Sequence, residues 1–300
     1  MSESDLVRRF NLERHPIRGH AVRLSGAWRS LREHQDYPPA VQQLLGEAIG
    51  AVVLLAATLK FDGTITLQLQ GKGLVNLLVA QCTHDFKVRG MARHEPIVST
   101  AVGEPGFLSL AGEGTIVVTV EATDRASSYQ GVVPITGNSL GECLEAYFVQ
   151  SEQLPTRVAL AASAAAVSGM LVQRIPGEGG KAIDPAALES AWMKADHAMA
   201  ALAPADLLED DVEQRLVGMF GDDEVRVFGG SPVSFECRCS RDRVANVLRS
   251  LGVEEVRGVI AEQGAVTVTC EFCQKPYKFD AIDAEQLFAQ APPQGSKTIN

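Results

Sequence analysis

The chain has 300 residues, six cysteines and a formal net charge of −10. Its length predicts about two domains, and six cysteines in so long a chain do not form a secreted disulfide framework. Residues 1–9 are polar and lack the apolar core of a signal peptide, and the apolar run 48–59 is too short to span a membrane. We therefore expect a cytoplasmic protein whose clustered cysteines bind metal or carry out redox chemistry.

The first 177 residues predict an α+β fold with a mainly antiparallel sheet. A strand is expected to begin near residues 18–31, and Pro38-Pro39 open a buried helix because residues 41–59 are apolar nearly all round. Residues 158–172 are alanine-rich and are compatible with a helix or a strand. Alternating residues between short turns predict five further strands, over residues 64–70, 74–80, 86–92, 114–121 and 129–135. The last two of these strands are expected to form a hairpin around residues 123–125.

Ser139 lies in a Gly-x-Ser-x-Gly sequence that matches the nucleophile elbow of serine hydrolases. That chemistry also needs an acid and a histidine further along the chain, and the only histidine after His94 is His197, in an acidic segment. The alternative is that Ser139 caps a helix, with Glu142 three residues later completing a capping box. We predict the cap.

The sequence Gly177-Glu178-Gly179-Gly180-Lys181 invites comparison with a phosphate-binding loop. It lacks the Ser or Thr after the lysine and the earlier glycine of that motif. We predict a flexible domain boundary instead.

The negative charge is concentrated in residues 178–230, whose net charge is −8, and no segment is strongly basic. This distribution argues against a nucleic-acid-binding zinc ribbon. Asp184-Pro185 predicts the start of a helix that continues to residue 202, and a second helix is predicted over residues 205–220. Like-charge repulsion predicts that the segment opens early, whereas the alternative is a solvated acidic face of no consequence.

Four cysteines form two close pairs near the C-terminus, Cys237-x-Cys239 and Cys270-x-x-Cys273. Four thiolates from two close pairs suit tetrahedral Zn²⁺, and a closed set of four ligands leaves no coordination position for hydrolysis. Two thiols one residue apart can also close a small, strained disulfide that is readily reduced. The residues therefore predict a zinc site that is either a static staple or a thiol switch.

The surroundings of the two pairs are consistent with this site. Three arginines, Arg238, Arg241 and Arg243, add positive charge that favours thiolates. Ser240 is expected to cap a helix, and residues 266–269 to form a strand that leads to Cys270. The isolated Cys82 and Cys143 are predicted to be core residues.

Five segments together resemble one family. They are residues 59–63, 68–73, 129–133 and 147–156, and the cysteine pairs within residues 235–280. On these segments the sequence resembles the heat-shock protein 33 family, the redox-regulated holdase chaperones of bacteria. One departure is Leu74, where the family commonly has proline.

The resemblance implies a domain organisation. Residues 1–177 are expected to form an N-terminal α/β chaperone core, 178–230 an acidic helical linker, and 231–288 a zinc-binding redox-switch domain. The Pro-rich composition of residues 289–300 predicts a disordered tail.

The resemblance also implies a mechanism, and it is not an enzymatic one. In the reduced, inactive state Zn²⁺ is bound by Cys237, Cys239, Cys270 and Cys273. Oxidation releases zinc and forms the disulfides Cys237–Cys239 and Cys270–Cys273, after which the linker unfolds. The active protein is expected to dimerise, to bind unfolding proteins without ATP, and to pass them to ATP-dependent chaperones; neither nucleic acid nor membrane is an expected partner.

Two other classes of function remain open from the residues alone. A thiol oxidoreductase would use Cys270-x-x-Cys273, but such a motif should follow a strand and open a helix in a βαβ unit. A static zinc-ribbon module would bind a partner without switching. It is distinguished by whether zinc loss on oxidation changes the protein's activity.

Overall fold

The computed structural model describes residues 5–97, 105–123, 128–176, 185–209 and 211–289. The predictions for the loop at 177–181, the cap at Asp184, the hairpin turn at 124–125 and the tail from 290 onward lie outside these residues. The chain divides into two units, Met1–Glu236 and Cys237–Asn300. The finer division into core, linker and zinc domain stays a prediction.

The first unit contains most of the regular structure. Its helices are α1 (Gly26–Arg32), α2 (Pro39–Thr58), α3 (Phe107–Ala111), α4 (Leu140–Tyr147), α5 (Pro185–Ala200), α6 (Pro204–Leu207) and α7 (Val212–Phe220). Its strands are β1 (Leu6–Leu12), β2 (Ile17–Leu24), β3 (Gly63–Gly71), β4 (Val75–Thr83), β5 (Lys87–His94), β6 (Gly114–Ala122), β7 (Tyr129–Pro134), β8 (Thr156–Ala162), β9 (Val167–Arg174), β10 (Val225–Val227), β11 (Ser231–Pro232) and β12 (Ser234–Phe235).

The first sheet has the strand order β10-β1-β2-β9-β8, and β11 also pairs with β1. All of these pairs are antiparallel. Because side chains alternate along a strand, β2 supplies Val22 and Leu24 to one hydrophobic cluster and Ile17 and Ala21 to another. The sheet is therefore buried on both faces. We call the face that packs against α5, α6 and α7 the outer face; its main residues are Phe10, Leu12, Ile17, Ala21, Met170 and Val172.

The second sheet has the order β12-β5-β4-β3-β6-β7 and is antiparallel except for the short parallel pair of β12 with β5. Strands β3 to β7 confirm the five predicted strands, including the hairpin of β6 and β7. The predicted α+β fold with mainly antiparallel sheets is confirmed.

Helix α2 packs against both sheets and forms the centre of the larger hydrophobic cluster. It begins at Pro39, which confirms the predicted start. A Cβ at Gly46 would lie 2.5 Å from the Ala162 methyl group, so glycine permits a close approach to β8. Length and composition would allow α2 to span a membrane, but 78% of its apolar window is buried inside the protein, as in a soluble core helix.

Residues 158–172, which the sequence left ambiguous, belong to the hairpin of β8 and β9. The Ser163 hydroxyl accepts hydrogen bonds from the backbone N–H groups of Ala165 and Ala166, both at 3.2 Å, and so forms the turn between the strands. β1 was not predicted, because Arg8 and Arg9 interrupt its apolar alternation.

The helix predicted over residues 205–220 is wrong, because the chain forms two helices there, α6 and α7. Asp211 caps the second: its carboxylate accepts a hydrogen bond from the Gln214 N–H at 2.8 Å. Arg215 donates to the Asp206 carbonyl at 2.9 Å and thereby joins the two helices across the break. The helix predicted over 186–202 is confirmed by α5.

The second unit is small. It consists of α8 (Arg241–Leu251), α9 (Val253–Gln263), a hairpin of β13 (Val266–Thr269) and β14 (Pro276–Phe279), and α10 (Ala281–Ala289). The predicted helix after Ser240 and the predicted strand at 266–269 are confirmed, whereas α9 and α10 were not predicted. Its core is one cluster of eight buried residues: Ala245, Leu248, Val256, Val266, Tyr277, Phe279, Ala284 and Leu287.

Candidate metal centre

The first cysteine pair lies in the short segment between β12 and α8. The Ser240 hydroxyl caps that helix by accepting a hydrogen bond from the Arg243 N–H at 3.2 Å. The cap fixes where the helix begins. Cys237 and Cys239 therefore lie in the segment that precedes the helix, and neither belongs to a helix or a strand.

The second pair lies in the turn between β13 and β14. The Cys270 N–H donates to the Lys275 carbonyl at 3.0 Å, and the Gln274 N–H donates to the Cys270 carbonyl at 2.8 Å. Gln274 adopts a left-handed conformation with φ of 52°. This tight turn directs both Cys270 and Cys273 to one side of the hairpin.

The four thiols converge. Their sulfur atoms all lie within 4.8 Å of one another. The Sγ atoms of Cys237 and Cys270 are 3.7 Å apart, and those of Cys239 and Cys273 are 3.4 Å apart. In a tetrahedron with metal–sulfur bonds of about 2.3 Å, the sulfurs are about 3.8 Å apart. The cluster therefore fits a tetrahedral metal ion of zinc's size.

The titration behaviour of the thiols also suits a cation. Burial raises the pKa of Cys237 and Cys273 above the usual range of a thiol. Burial alone would also raise the pKa of Cys239, but hydrogen bonds from Tyr277 and the neighbouring thiols lower it to about 7. The Cys239 thiolate thus forms readily, whereas Cys237 and Cys273 resist ionisation. A metal ion supplies the positive charge that four thiolates need.

Tyr277 supports the cluster. Its phenol donates a hydrogen bond to the Cys239 sulfur at 3.0 Å, and this bond raises the pKa of Tyr277 to about 12. Phe279, two residues later in β14, lies in the same core cluster as Tyr277, with the Arg241 guanidinium 4.2 Å from the centre of its ring.

The arginines near the first pair are largely engaged elsewhere. Arg241 forms an ion pair with Asp283 at 2.8 Å and donates to the Lys278 carbonyl at 2.8 Å. Arg243 donates to the Arg238 carbonyl at 2.5 Å. The contacts of Arg241 fasten α8 to β14 and α10, whereas that of Arg243 ties α8 to the segment that carries the first cysteine pair. Both arginines therefore position the chain around the thiols.

The second cysteine pair does not have the geometry of a thiol oxidoreductase. Cys270 follows the strand β13, but Cys273 is followed by the turn into β14. No helix begins at the pair within residues 211–289, so the motif lacks the helix N-terminus that stabilises a reactive thiolate.

The remaining predicted sites have structural roles. The Ser139 hydroxyl accepts from the Glu142 N–H at 3.1 Å and caps α4, which confirms the predicted cap. The Glu142 carboxylate accepts from the Asn138 N–H at 2.8 Å, one residue earlier than in a standard capping box. Cys82 and Cys143 are fully buried in the main core, as predicted.

Comparison with known proteins identifies the family. The family model described as "Hsp33 protein" matches residues 5–280. The chain belongs to the Hsp33 family. Two similar Hsp33 relatives are named 33 kDa chaperonin. That of Methylobacillus flagellatus is 39% identical over 289 residues, which cover 96% of each chain. That of Pseudomonas paraeruginosa is 40% identical over 297 residues, which cover 98% of each chain.

A solved Hsp33 structure has the same fold. The crystal structure of the 33 kDa chaperonin of Thermotoga maritima superposes with a TM-score of 0.80 at 22% identity, covering 95% of this chain and 98% of that one. At this identity the likeness concerns the fold alone.

Proposed function

We propose that this protein is a redox-regulated, ATP-independent holdase chaperone of the cytoplasm. The proposal rests on the convergence of four thiols within 4.8 Å in a unit whose hydrophobic core is very small. Family membership and the names of the relatives support a chaperone function, and chaperonins are not enzymes. In the resting state, Zn²⁺ would be held by Cys237, Cys239, Cys270 and Cys273 as thiolates.

The metal would supply much of the folding free energy of the second unit. Small domains with few core residues commonly require a metal or disulfides to fold. Structural zinc contributes apparent binding free energies of about 10–16 kcal/mol in small zinc domains. Removing the thiolates should therefore unfold residues 237–289.

The switch consists of two thiol oxidations. Each close pair loses two electrons to an oxidant such as a peroxide, which is reduced to water, and forms one sulfur–sulfur bond. We propose the pairs Cys237–Cys239 and Cys270–Cys273, because short loops give the highest effective thiol concentration. All four sulfurs are near one another, so peptide mapping must distinguish these disulfides from Cys237–Cys270 and Cys239–Cys273.

The linker, residues 178–230, would transmit the change. Its described helices cover the outer face of the first sheet through Leu207, Leu216 and Phe220, which are at most 3% exposed. We propose that the linker leaves this face once the second unit unfolds, and that the uncovered apolar surface binds unfolding proteins. We also propose that the oxidised protein dimerises and that it transfers its clients to ATP-dependent chaperones.

One aggregation assay tests the function. A heat-labile client is warmed with reduced, zinc-loaded protein or with peroxide-treated protein, without nucleotide, while light scattering and zinc content are followed. We expect suppression of aggregation only after oxidation, together with release of one Zn²⁺ per chain. Equal activity in the two states would contradict the switch and favour a static zinc module.

Matched cysteine variants sharpen the assay. Cys270→Ser should lower the zinc content and remove the redox dependence, because it deletes one of four ligands. Cys143→Ala, a buried cysteine outside the cluster, should leave zinc content and activation unchanged. Unchanged zinc in Cys270→Ser would exclude the proposed ligand set.

A further inference from the structure

The outer face of the first sheet has an apolar floor. Phe10, Leu12, Ile17, Ala21, Met170 and Val172 are each at most 2% exposed beneath the linker. The rings of Phe10 and Phe220 stack at 6.1 Å between centroids. Apolar contact alone would not let this surface distinguish one hydrophobic segment from another.

Cations border this floor. Arg174 of β9 forms an ion pair with Glu189 of α5 at 2.7 Å, and Arg157 of β8 forms one with Asp196 of α5. The buried Arg8 of β1 lies 4.0 Å from Glu213 of α7. In each pair, the sheet supplies the cation and the linker supplies the anion.

The border continues at the turn between β1 and β2. Arg14 forms an ion pair with Glu224 at 2.6 Å, and His15 lies 3.5 Å from Asp223. The pair of Glu13 with Arg226 has the opposite polarity, and Arg226 belongs to β10, itself a strand of the sheet. The sequence suggested that the acidic linker repels itself. The structure shows that the sheet neutralises several of its acids.

Helices α5 and α7 of the linker each carry an acid and apolar residues on one face. In α7, Glu213 is followed by Leu216 at the third position and Phe220 at the seventh. Residues at this spacing share a face of an α-helix. In α5, Asp196 is followed by Met199 in the same way. The outer face thus holds an amphipathic helix by its apolar residues and by an acid one turn earlier.

We propose that the outer face, once uncovered, selects segments of unfolding proteins in which acidic residues accompany apolar ones at helical spacing. The inference rests on the proposed function, because it requires the linker to leave. The linker then acts as an internal competitor with the same chemistry as the clients. Charge complementarity of this kind gives specificity more than bulk affinity.

Three fluorescent peptides test the selection against oxidised full-length protein. The first has the sequence of residues 185–224. The second replaces Glu189, Asp196, Glu213, Asp223 and Glu224 by the corresponding amides, and the third replaces them by lysine; the apolar residues are unchanged. We expect fluorescence anisotropy to give a Kd about 10-fold weaker for the amide peptide and about 100-fold weaker for the lysine peptide. Equal Kd values for all three would overturn the proposal.

Matched protein variants locate the effect. The double variant Arg157→Gln, Arg174→Gln should lose most of the preference for the acidic peptide after oxidation. Arg89→Gln, on the second sheet where the arginine binds Gln81 at 2.7 Å, should keep it. Circular dichroism checks that each variant is folded. Retention of the full preference in the double variant would show that the outer face is not the selecting surface.

The aggregation assay separates the two proposals. If oxidised protein does not suppress aggregation, the proposed function fails. If it suppresses aggregation but binds the three peptides equally, or binds none of them, the switch stands and the charge selection is wrong.

Discussion

The two faces of the first sheet are covered in different ways. On one face, α2 has 14 of its 20 residues buried, because it also packs against the second sheet. On the outer face, α5 has three of 16 residues buried and α7 three of nine. The same strands are thus covered on one face by α2, which is packed between two sheets, and on the outer face by α5 and α7, which contact the protein along one side only. Enclosure, rather than the strands beneath, distinguishes the two covers.

The chemistry of the two covers follows this difference. The enclosed helix α2 is apolar nearly all round, whereas α5 on the outer face presents acids to arginines at the border of the sheet. Salt does not screen an apolar contact, whereas exposed ion pairs weaken as salt rises. Regions with few buried contacts also open at lower free energy than the rest of a protein.

The largest expected effect concerns the enclosed cover. Leu45→Ala in α2 removes a side chain that is 1% exposed, and such changes cost about 2–5 kcal/mol. We expect a lower midpoint in chemical denaturation of the whole first unit. A change confined to the linker would show that α2 is not the shared core of the two sheets.

The matched change in the cover of the outer face should act locally. Leu216→Ala removes the same atoms from a side chain with 0% exposure, but the cost falls on docking of the linker. Hydrogen exchange should show faster exchange in residues 185–224 with little change in β3 to β6. The reduced, zinc-loaded variant should also suppress aggregation partially. Uniformly faster exchange throughout the first unit would mean that the two covers open together.

The pH dependence of the first unit provides a smaller effect. Burial, with the charges of Arg18 and Arg9, lowers the pKa of His20 to about 4. The His20 imidazole therefore takes up a proton near pH 6.5 in the unfolded chain but only near pH 4 in the folded chain. The free energy of unfolding consequently decreases as the pH falls from 6.5 to 4. The loss is at most about 3 kcal/mol. His20→Gln should flatten that part of a plot of unfolding free energy against pH; an unchanged slope would assign the dependence to other groups.

The smallest expected effect concerns the cap of α4, a helix that belongs to neither cover of the first sheet and serves as a reference. Ser139→Ala removes the cap of α4 and should cost about 1 kcal/mol of unfolding free energy. Redox activation in the aggregation assay should be unchanged, because the hydroxyl is occupied by the Glu142 N–H. Loss of activation in this variant would point to a role for Ser139 beyond the cap.

Local patterns made the candidate site predictable. The two cysteines of each pair are close in sequence, and this spacing alone indicates a four-thiol cluster. Tyr277 was harder to place, because its hydrogen bond to Cys239 joins residues 38 positions apart. A local sequence pattern does not show which residues so far apart in the chain are neighbours in the fold.

The elements that were missed depend on partners remote in sequence. β1 contains Arg8, which is buried and lies 4.0 Å from Glu213 of the linker. Strand β10 has three residues and exists because β1 pairs with it. The break between α6 and α7 was missed for a different reason: the apolar spacing continues through it, while Asp211 starts a new helix.

Strand β12 has a consequence for dividing the protein into fragments. The Ser234 N–H donates to the Phe86 carbonyl at 3.1 Å, and the Glu236 N–H donates to the Val88 carbonyl at 3.0 Å. These residues cover one edge of the second sheet, and the first thiol of the cluster follows immediately at position 237. A fragment that ends near residue 230 would expose β5, and bare strand edges promote association between chains. A fragment that ends at residue 236 keeps the edge covered and should remain soluble at higher concentration.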